Sequence, residues 1–293
     1  MDGMAAETRA GPGTGPGAAK KPDAQKLLMT AALLFVGYIF VFPLISTVLM
    51  SFKGSFELMK FPDRLLPLAP TWDNYAAVLT NKYNYPLLYL NSIKITAFNV
   101  TGCVVTSVLS GYAFGRLKFP GRDGFFMLYL ATLMIPPQVT LIPRFMQFTW
   151  MGITNSHLSL MLPGIFSVIG VFLMRQHYRQ IPFELSESAY IDGASEYVTF
   201  FRVILPMTRP AIMAIVITTF TWQWNDYENP LIFLRSSSLY TLPLGYSAFS
   251  DENGTKYELV SAASILACLP MIAVFVFAQK QFIAGLAAGS LKE

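Results

Sequence analysis

The segment IPFELSESAYIDGASEYVTFFRVILPMTRP, from Ile181 to Pro210, is a long amphipathic stretch between two strongly apolar runs. Pro182 suits the first turn of a helix, and the carboxylates of Glu184 and Glu187 favour the positive end of that helix's dipole. Gly193 permits a backbone turn that bulkier residues resist. The segment is therefore predicted to form a short helix, a glycine turn and a second helix.

The second of these helices is predicted to begin at Ser195 and to end near Ile204, because the residue before Pro206 avoids helical geometry. Asp192 is positioned to cap its start. An apolar stripe on the first helix is expected from Leu185, Ala189 and, further round, Ile191. A unit of this kind, lying outside the membrane, presents a protruding surface that another protein can bind.

The composition around this segment is that of a membrane protein. Only 13% of the 293 residues are charged, whereas soluble domains usually carry about a quarter, and the mean hydropathy is +0.47. Several apolar runs are long enough to cross a hydrocarbon core of about 30 Å. An all-α membrane protein is expected, with six spans at approximately residues 27–50, 95–115, 125–143, 158–174, 210–226 and 260–279.

The chain is predicted to divide into a disordered tail, residues 1–26, and a membrane domain, residues 27–293. The tail is rich in Gly, Pro and Ala and shows no apolar periodicity. Lysines precede the first span, as they do in a signal peptide. That span is too long for a signal core and no small-residue cleavage site follows it, so a retained helix is predicted.

The distribution of Lys and Arg predicts the orientation of the spans. Six spans place both termini on the same side of the membrane. Most of the 21 basic residues fall in the tail, in 116–123, in 175–209 and at the C-terminus. Since cytoplasmic loops carry an excess of Lys and Arg, both termini are expected in the cytoplasm.

Proline and polar residues inside the spans indicate a packed bundle around a pathway, although simple kinks fit the prolines equally well. The prolines are Pro43, Pro136, Pro137, Pro163 and Pro270. Asn99, Thr101 and Gln147 either line such a path or bond a neighbouring helix.

A motif in the opening segment carries a family resemblance. Residues 187–194 read Glu-Ser-Ala-Tyr-Ile-Asp-Gly-Ala and are followed by Leu205-Pro206. This resembles the E-A-A-x-x-x-G loop of the permease subunits of binding-protein-dependent ATP-binding-cassette importers. The one departure is Ser188 in place of the first alanine, a small residue for a small residue. The segment 181–206 is called the coupling loop below, after its counterpart in that family.

The resemblance extends over nearly all of residues 27–292 and is greatest to the carbohydrate branch, in particular the maltose-type second permease. It implies the type I importer permease fold, with six transmembrane helices and a cytoplasmic coupling helix. The matching features are the Asp-Gly-Ala of the loop, Asn91-Ser92, the stretch 112–122, Trp224-Asn225-Asp226 and Phe282-Ile283-Ala284-Gly285.

The resemblance also implies the partners. The coupling loop would sit in a cleft on a dimer of ATPase subunits, through Glu187, Ala189, Asp192, Gly193, Ala194 and Pro206. A second homologous permease, an extracytoplasmic solute-binding protein, a carbohydrate substrate and the lipid bilayer complete the set. The location implied is the cytoplasmic (inner) membrane of a bacterium or archaeon. The rival interpretation of the loop helix is an amphipathic helix lying on the membrane surface, whose apolar face would need to be larger and less interrupted.

No enzymatic activity is expected of the chain. It contains no G-x-x-x-x-G-K-[ST] sequence to cradle a phosphate, so ATP and Mg²⁺ are expected on separate ATPase subunits and no cofactor on this chain. Cys103 and Cys268 lie in apolar runs and are interpreted as packing residues rather than a disulfide or metal pair. With two histidines, no metal-site spacing appears.

The segment 222–228, at the outer end of the fifth span, is a candidate for sugar contact. Trp224, Asn225 and Asp226 supply an aromatic face, an amide and a carboxylate, which a polyhydroxylated ligand needs. An interfacial aromatic belt has the same pattern, and the sequence leaves both interpretations open. The outer loop 235–257 either docks a binding protein, as the resemblance implies, or is a solvated connector.

Other classes of protein fit the sequence less well. A secondary transporter would need ionisable residues at mid-membrane, and the predicted spans have none except Asp226 at an edge. A membrane enzyme would need clustered His, Asp or Cys. Basic residues are scattered, which argues against nucleic acid as a partner. Within the importer class, glycerol phosphate, polyol, amino acid or peptide remain alternative cargoes, and the sugar is not specified.

Overall fold

The computed structural model describes residues 24–80, 83–251 and 254–290, with side chains described up to residue 279. Most of the predicted tail 1–26 therefore lies outside the described residues, and so do the side chains of Phe282-Ile283-Ala284-Gly285. The chain forms two compact units, Met1–Ser46 and Thr47–Glu293.

The described residues are mostly helical. The α-helices are α1 (Ala24–Ser51), α2 (Ser55–Lys60), α3 (Asp73–Leu79), α4 (Tyr85–Gly115), α5 (Arg122–Ala131), α6 (Pro137–Trp150), α7 (Leu158–Gly164), α8 (Val168–Gln180), α9 (Glu184–Ile191), α10 (Glu196–Val198), α11 (Leu205–Met207), α12 (Arg209–Trp224), α13 (Glu228–Phe233), α14 (Leu242–Gly245) and α15 (Tyr257–Ser290). Short 3₁₀ turns cover Thr132–Met134, Ser237–Leu239 and Tyr246–Phe249, and a π-helical turn covers Thr199–Ile204. Two-residue strands, β1 (Ser250–Asp251) and β2 (Gly254–Thr255), pair antiparallel with Ser250 opposite Thr255.

Four helical stretches of the described residues are each long and apolar enough to cross a membrane. They are Gln25–Ser51, Tyr85–Gly115, Leu158–Gln180 and Tyr257–Gln279. Two further crossings exist if bent helix pairs count as one span each, Arg122–Met134 with Pro137–Trp150 and Glu196–Met207 with Arg209–Trp224. The prediction of six spans is matched when both pairs are counted.

The predicted span 125–143 is a broken helix rather than a continuous one. Its two halves meet at an angle of 98°. At the break Ile135 and Pro136 both have extended ψ angles, 113° and 134°, because each of them precedes a proline and the proline ring clashes with a helical neighbour. Pro137 then begins α6, where its missing N–H costs nothing.

Helix α4 is the centre of the second unit. It packs against α8 and α12, and α12 packs in turn against α15. Its contact with α8 is close because each of the two helices presents a glycine to the other. A methyl group added to Gly111 of α4 would lie 2.4 Å from Cβ of Met174, and one added to Gly170 of α8 would lie 2.3 Å from Oγ of Ser107. Such close approach of backbones is how helices pack when lipid supplies no hydrophobic drive.

The buried side chains form three clusters along this bundle. One lies beside the coupling loop and contains Cys103, Val108, Tyr112, Met174, Tyr178, Ile181, Phe200, Ile204, Ala211 and Ile215. A second contains Val78, Tyr85, Leu88, Trp224, Leu242, Phe249, Leu259, Ala262 and Ala263. The third contains Ile95, Phe148, Leu160, Met161, Phe233 and Leu234. Cys103 is buried, Cys268 is half-buried, and both are free thiols.

Candidate functional site

The coupling loop has the predicted helix, glycine turn and helix, with a different start to each helix. Helix α9 begins at Glu184, two residues after Pro182. Gly193 has a φ of +80°, the left-handed conformation that glycine adopts without strain. The prediction that Asp192 caps the next helix is wrong: Asp192 ends α9, and the hydroxyl of Ser195 accepts from the N–H of Val198.

The prediction that the second helix stops before Pro206 is also wrong. A helical run continues from Glu196 to Met207. The turn before the proline is π-helical, and the N–H of Leu205 donates to the carbonyl of Phe200, five residues back. This wider turn accommodates Pro206 within the first residues of α11, where a proline needs no hydrogen-bond partner for its nitrogen.

Large apolar side chains in and just after the coupling loop are exposed. Ile191 is 87% exposed and Tyr197 77%, and Phe183, Phe201 and Met207 are also exposed. Ile191 therefore does not join a buried stripe with Ala189, which is half-buried. The predicted coupling residues Glu187, Asp192, Gly193 and Pro206 are exposed as well, and Ala194 is half-buried, its N–H donating to the carbonyl of Ala189.

A single carboxylate ties the coupling loop to the membrane helices. Glu196 accepts hydrogen bonds from the hydroxyl of Tyr190 on α9 and from the hydroxyl of Tyr112 on α4. The bond to Glu196, reinforced by partial burial, raises the pKa of Tyr190 to about 12. The ring of Tyr112 packs against Phe200 at 4.5 Å and Tyr178 at 5.5 Å. The carboxylate of Glu196 and the two tyrosines bonded to it, Tyr112 and Tyr190, are called the Glu196 clamp.

Arg116 stands beside this clamp at the end of α4. Its side chain is 7% exposed, donates to the carbonyl of Pro182 at 3.3 Å and lies over the ring of Phe183 at 4.4 Å. Within the described residues its Nε and Nη1 atoms have no hydrogen-bond partner. Burial lowers the pKa of Arg116. Arg116 and Glu196 are not among the six coupling residues that the family resemblance implies. Only their proximity in the fold identifies them as part of the link between the coupling loop and α4.

Trp224, Asn225 and Asp226, the predicted sugar contacts, have three different environments. The indole of Trp224 is buried, donates to the carbonyl of Ala267 at 3.0 Å and packs between Phe220 and Tyr89. The amide of exposed Asn225 donates to its own helix. For Trp224 the structure therefore favours the packing interpretation over contact with a substrate.

Asp226 belongs to a polar chain that joins α13 to α6. Its carboxylate accepts from the backbone N–H of Asn229 at 3.2 Å and from the side-chain amide at 2.8 Å. The side-chain oxygen of Asn229 accepts a hydrogen bond from the guanidinium of Arg144 at 2.5 Å. That guanidinium also lies over the ring of Phe233 at 5.0 Å. Asp226 is thus engaged in holding the second half of a broken span.

A cavity of about 290 Å³ opens between α4, α8 and α12. Its lining is Cys103, Gly164, Phe166, Ser167, Ile169, Gly170, Leu173, Ala214, Ile215, Thr218, Thr219, Trp222 and Gln223. Asn99 lies behind it, fully buried, and donates to the carbonyl of Leu160 at 3.2 Å and to Gln223 at 2.7 Å. Of the two roles open to Asn99, bonding to neighbouring helices is the one observed.

The comparisons with known proteins agree on one family. Residues 105–287 match the family described as "Binding-protein-dependent transport system inner membrane component". The chain belongs to this family. The match includes the coupling loop, the Glu196 clamp, α8 and α12, and it places this permease among the membrane-embedded components of transport systems.

Curated relatives match the permease over most of their own length. The arabinooligosaccharides transport system permease protein AraQ of Halalkalibacterium halodurans is 35% identical over 90% of this chain and 96% of its own. The galactooligosaccharides transport system permease protein GanQ of Bacillus subtilis is 34% identical over 91% and 96%. The sn-glycerol-3-phosphate transport system permease protein UgpE of Yersinia enterocolitica is 31% identical over 87% and 93%.

The fold of the permease also matches a solved structure. A chain from a bacterial ABC transporter involved in the import of the acidic polysaccharide alginate aligns with a TM-score of 0.80, over 92% of this permease and all of that chain, at 21% identity. The expected ATP-binding-cassette importer permease fold is confirmed by this match.

Proposed function

We propose that this permease is one of two membrane-spanning subunits of an ATP-binding-cassette importer that moves a carbohydrate into the cytoplasm. ATP hydrolysis on separate ATPase subunits drives the movement, and ATP and Mg²⁺ bind there rather than on this chain. The observation that carries the proposal is that the coupling loop exposes large apolar side chains and is joined to α4 through the Glu196 clamp.

The exposed face of the coupling loop supports docking to another protein. Ile191 and Tyr197 are large hydrophobic side chains that are mostly exposed, and exposed apolar patches mark interaction sites. An amphipathic helix that inserts into a groove is a recurrent mode of recognition. Glu187 supplies a charge for a basic partner, while Ala189, Gly193 and Ala194 let the two surfaces approach closely.

The Glu196 clamp supplies the mechanical link. Displacement of α9 by a closing ATPase pulls on Tyr190, the shared carboxylate of Glu196 and the hydroxyl of Tyr112 in turn. Tyr112 lies on α4, which packs against α8 and α12 around the cavity. Hydrogen bonds to a charged acceptor are about twice as strong as neutral ones, so the clamp transmits movement instead of yielding to it.

The remaining partners and the orientation belong to the same proposal. Both termini and the coupling loop face the cytoplasm, and a second homologous permease completes the pathway. The outer loop 235–257 faces an extracytoplasmic solute-binding protein. The membrane is the cytoplasmic membrane of a bacterium or archaeon.

Carbohydrate is favoured as the cargo because the relatives named above include permeases of arabinooligosaccharide and galactooligosaccharide systems. A second candidate is glycerol phosphate, which the similarity to the UgpE permease keeps in view. Amino acids and peptides, also compatible with the sequence, find no support among these relatives.

Uptake of labelled sugars, polyols and glycerol phosphate by cells that carry the wild-type chain or Gly193→Asp tests the proposal. A side chain at a φ of +80° strains the turn, so Gly193→Asp is expected to abolish uptake of one compound while membrane levels stay equal by immunoblot. Gly152→Asp is the matched control, because Gly152 also has a positive φ, +70°, and open space around it. Equal uptake of every compound by wild type and Gly193→Asp would contradict the proposal.

A further inference from the structure

We propose that the cavity between α4, α8 and α12 is this subunit's half of a binding site for a neutral saccharide. Its contact surface is one face of α12, formed by Trp222, Gln223, Thr218 and Thr219. The inference rests on the proposed function and adds to it a location and a class of cargo. It moves the sugar contact inward from Trp224, Asn225 and Asp226.

Two tryptophans of the same sequence motif have opposite environments. Trp224 is 4% exposed and its indole nitrogen is bonded to Ala267, whereas Trp222 is 79% exposed and lines the cavity. The flat apolar faces of a sugar ring pack on an aromatic side chain, and the large rigid surface of an indole costs little conformational entropy to present. Trp222 is therefore the side chain of the motif available to a ligand.

Gln223 provides a polar group whose orientation is already fixed. Its Oε1 accepts from the amide of Asn99, which is fully buried and held also by the carbonyl of Leu160. Within the described residues the Nε2 group of Gln223 has no protein partner and lines the cavity, so it can donate to a ligand hydroxyl. A side chain anchored in this way pays little entropy on binding.

Hydroxyl groups line the cavity beside this amide. Thr218, Thr219 and Ser167 all contribute to the lining. The hydroxyl of Thr218 donates to the carbonyl of Ala214 at 2.8 Å, which leaves its oxygen lone pairs to accept from a ligand. An aromatic face, an amide donor and hydroxyl acceptors on one helix face are the groups that a polyhydroxylated ligand requires.

The lining indicates a neutral ligand rather than an anionic one. None of the thirteen described residues around the cavity carries a charge. A phosphate or a uronic carboxylate that entered would lose water without gaining a counter-ion, which is costly. The charged side chains of Arg144 on α6 and Asp226, just before α13, are joined through Asn229 and do not line the cavity.

Two matched pairs of substitutions test the site in the importer co-expressed with its partner subunits. Thr218→Val and Thr221→Val each remove a hydroxyl that donates to the carbonyl four residues back at 2.8 Å, but only Thr218 lines the cavity. Trp222→Leu and Trp150→Leu each remove an exposed indole, and Trp150 lies on α6 away from the cavity. The measurements are KM and maximal rate of ATP-driven uptake for the neutral sugar that the wild type takes up, with glycerol phosphate as an anionic competitor.

Thr218→Val and Trp222→Leu are expected to raise the KM for the neutral sugar by about three- to tenfold, with the maximal rate and the copurified partner subunits unchanged. Thr221→Val and Trp150→Leu are expected to behave as wild type, and Trp222→Phe to recover most of the affinity. Unchanged KM values in both cavity variants, or effective competition by glycerol phosphate, would overturn the site while leaving the importer assignment intact. Loss of the partner permease from Trp222→Leu would make Trp222 a subunit contact and also overturn it. Absence of any sugar uptake by the wild type would instead contradict the proposed function.

Discussion

At the residue scale, one carboxylate accounts for the continuity between the coupling loop and the membrane helices. Glu196 accepts from two tyrosine hydroxyls that come from elements far apart in sequence, Tyr112 and Tyr190. Its neighbour Arg116 is buried with two nitrogens unpaired in the described part of the chain. Unpaired buried donors are costly, and here that cost falls beside the contact between the coupling loop and α4.

Glu196→Gln is expected to uncouple transport from ATP hydrolysis. In the glutamine side chain an amide NH₂ replaces one carboxylate oxygen, so one tyrosine must turn its hydroxyl from donor to acceptor, and the charge that strengthens both bonds is lost. In the purified importer, substrate moved per ATP hydrolysed should fall by about tenfold, the equivalent of one charge-assisted bond. Glu184→Gln is the control, since Glu184 is exposed on the same loop and outside the clamp. An unchanged ratio in Glu196→Gln would show that the clamp does not transmit movement.

At the scale of the elements, prolines decide where the spans break, and the fold decides by how much they bend. Pro136 and Pro137 give a bend of 98° between α5 and α6. Pro163 lies in the last turn of α7, which ends at Gly164, whereas Pro270 lies inside the continuous helix α15. The freed backbone groups have to be satisfied by neighbouring helices at each break, so the same residue type has different consequences in different surroundings.

Gly164→Ala is expected to destabilise the bundle at the end of α7. The added methyl group would lie 2.2 Å from the side-chain nitrogen of Asn99, which is fully buried and bonded to α7 and α12. Overpacking of this kind costs about 1–3 kcal/mol, which thermal unfolding of the detergent-solubilised complex would register as a lower midpoint. Gly124→Ala, on α5 with open space around it, should leave the midpoint unchanged or slightly raised. Equal midpoints for the two variants would contradict the packing described for Asn99.

At the scale of the whole molecule, the second unit exposes apolar side chains on its coupling loop and contains a cavity with an uncharged lining between α4, α8 and α12. The helix α4 connects the two, since Tyr112 lies near one end and Cys103 contributes to the cavity further along. A force applied at the loop can therefore reach the cavity through packed helices rather than through flexible chain.

Ile191→Glu is expected to release the ATPase subunits while the second permease stays bound. Ile191 is 87% exposed on α9, and a charge there would have to be buried without a partner on docking. Copurification of each subunit through a tag on this chain measures both contacts. Leu66→Glu, at an exposed position between α2 and α3, serves as the control. Retention of the ATPase by Ile191→Glu would place the docking surface elsewhere.

The all-helical membrane class, the family, and the helix, glycine turn and helix of the coupling loop can all be predicted from the sequence. Charge-free runs and the left-handed turn at Gly193 depend on hydropathy and on backbone sterics, which act locally and can be read along the chain. Even within the loop, the cap at Ser195 and the π-helical turn before Pro206 were mispredicted, because competing local solutions are separated by small free energies.

Which polar side chains meet depends on how the helices pack in the tertiary structure. Trp222 and Trp224 are two residues apart in one motif, yet one faces the cavity and the other is buried against Ala267, since a helix turns by about 200° over two residues. Tyr112, Tyr190 and Glu196 converge only when α4 and the coupling loop pack together. Contacts of this kind depend on how helices cross, and a single sequence does not encode crossing in any local pattern.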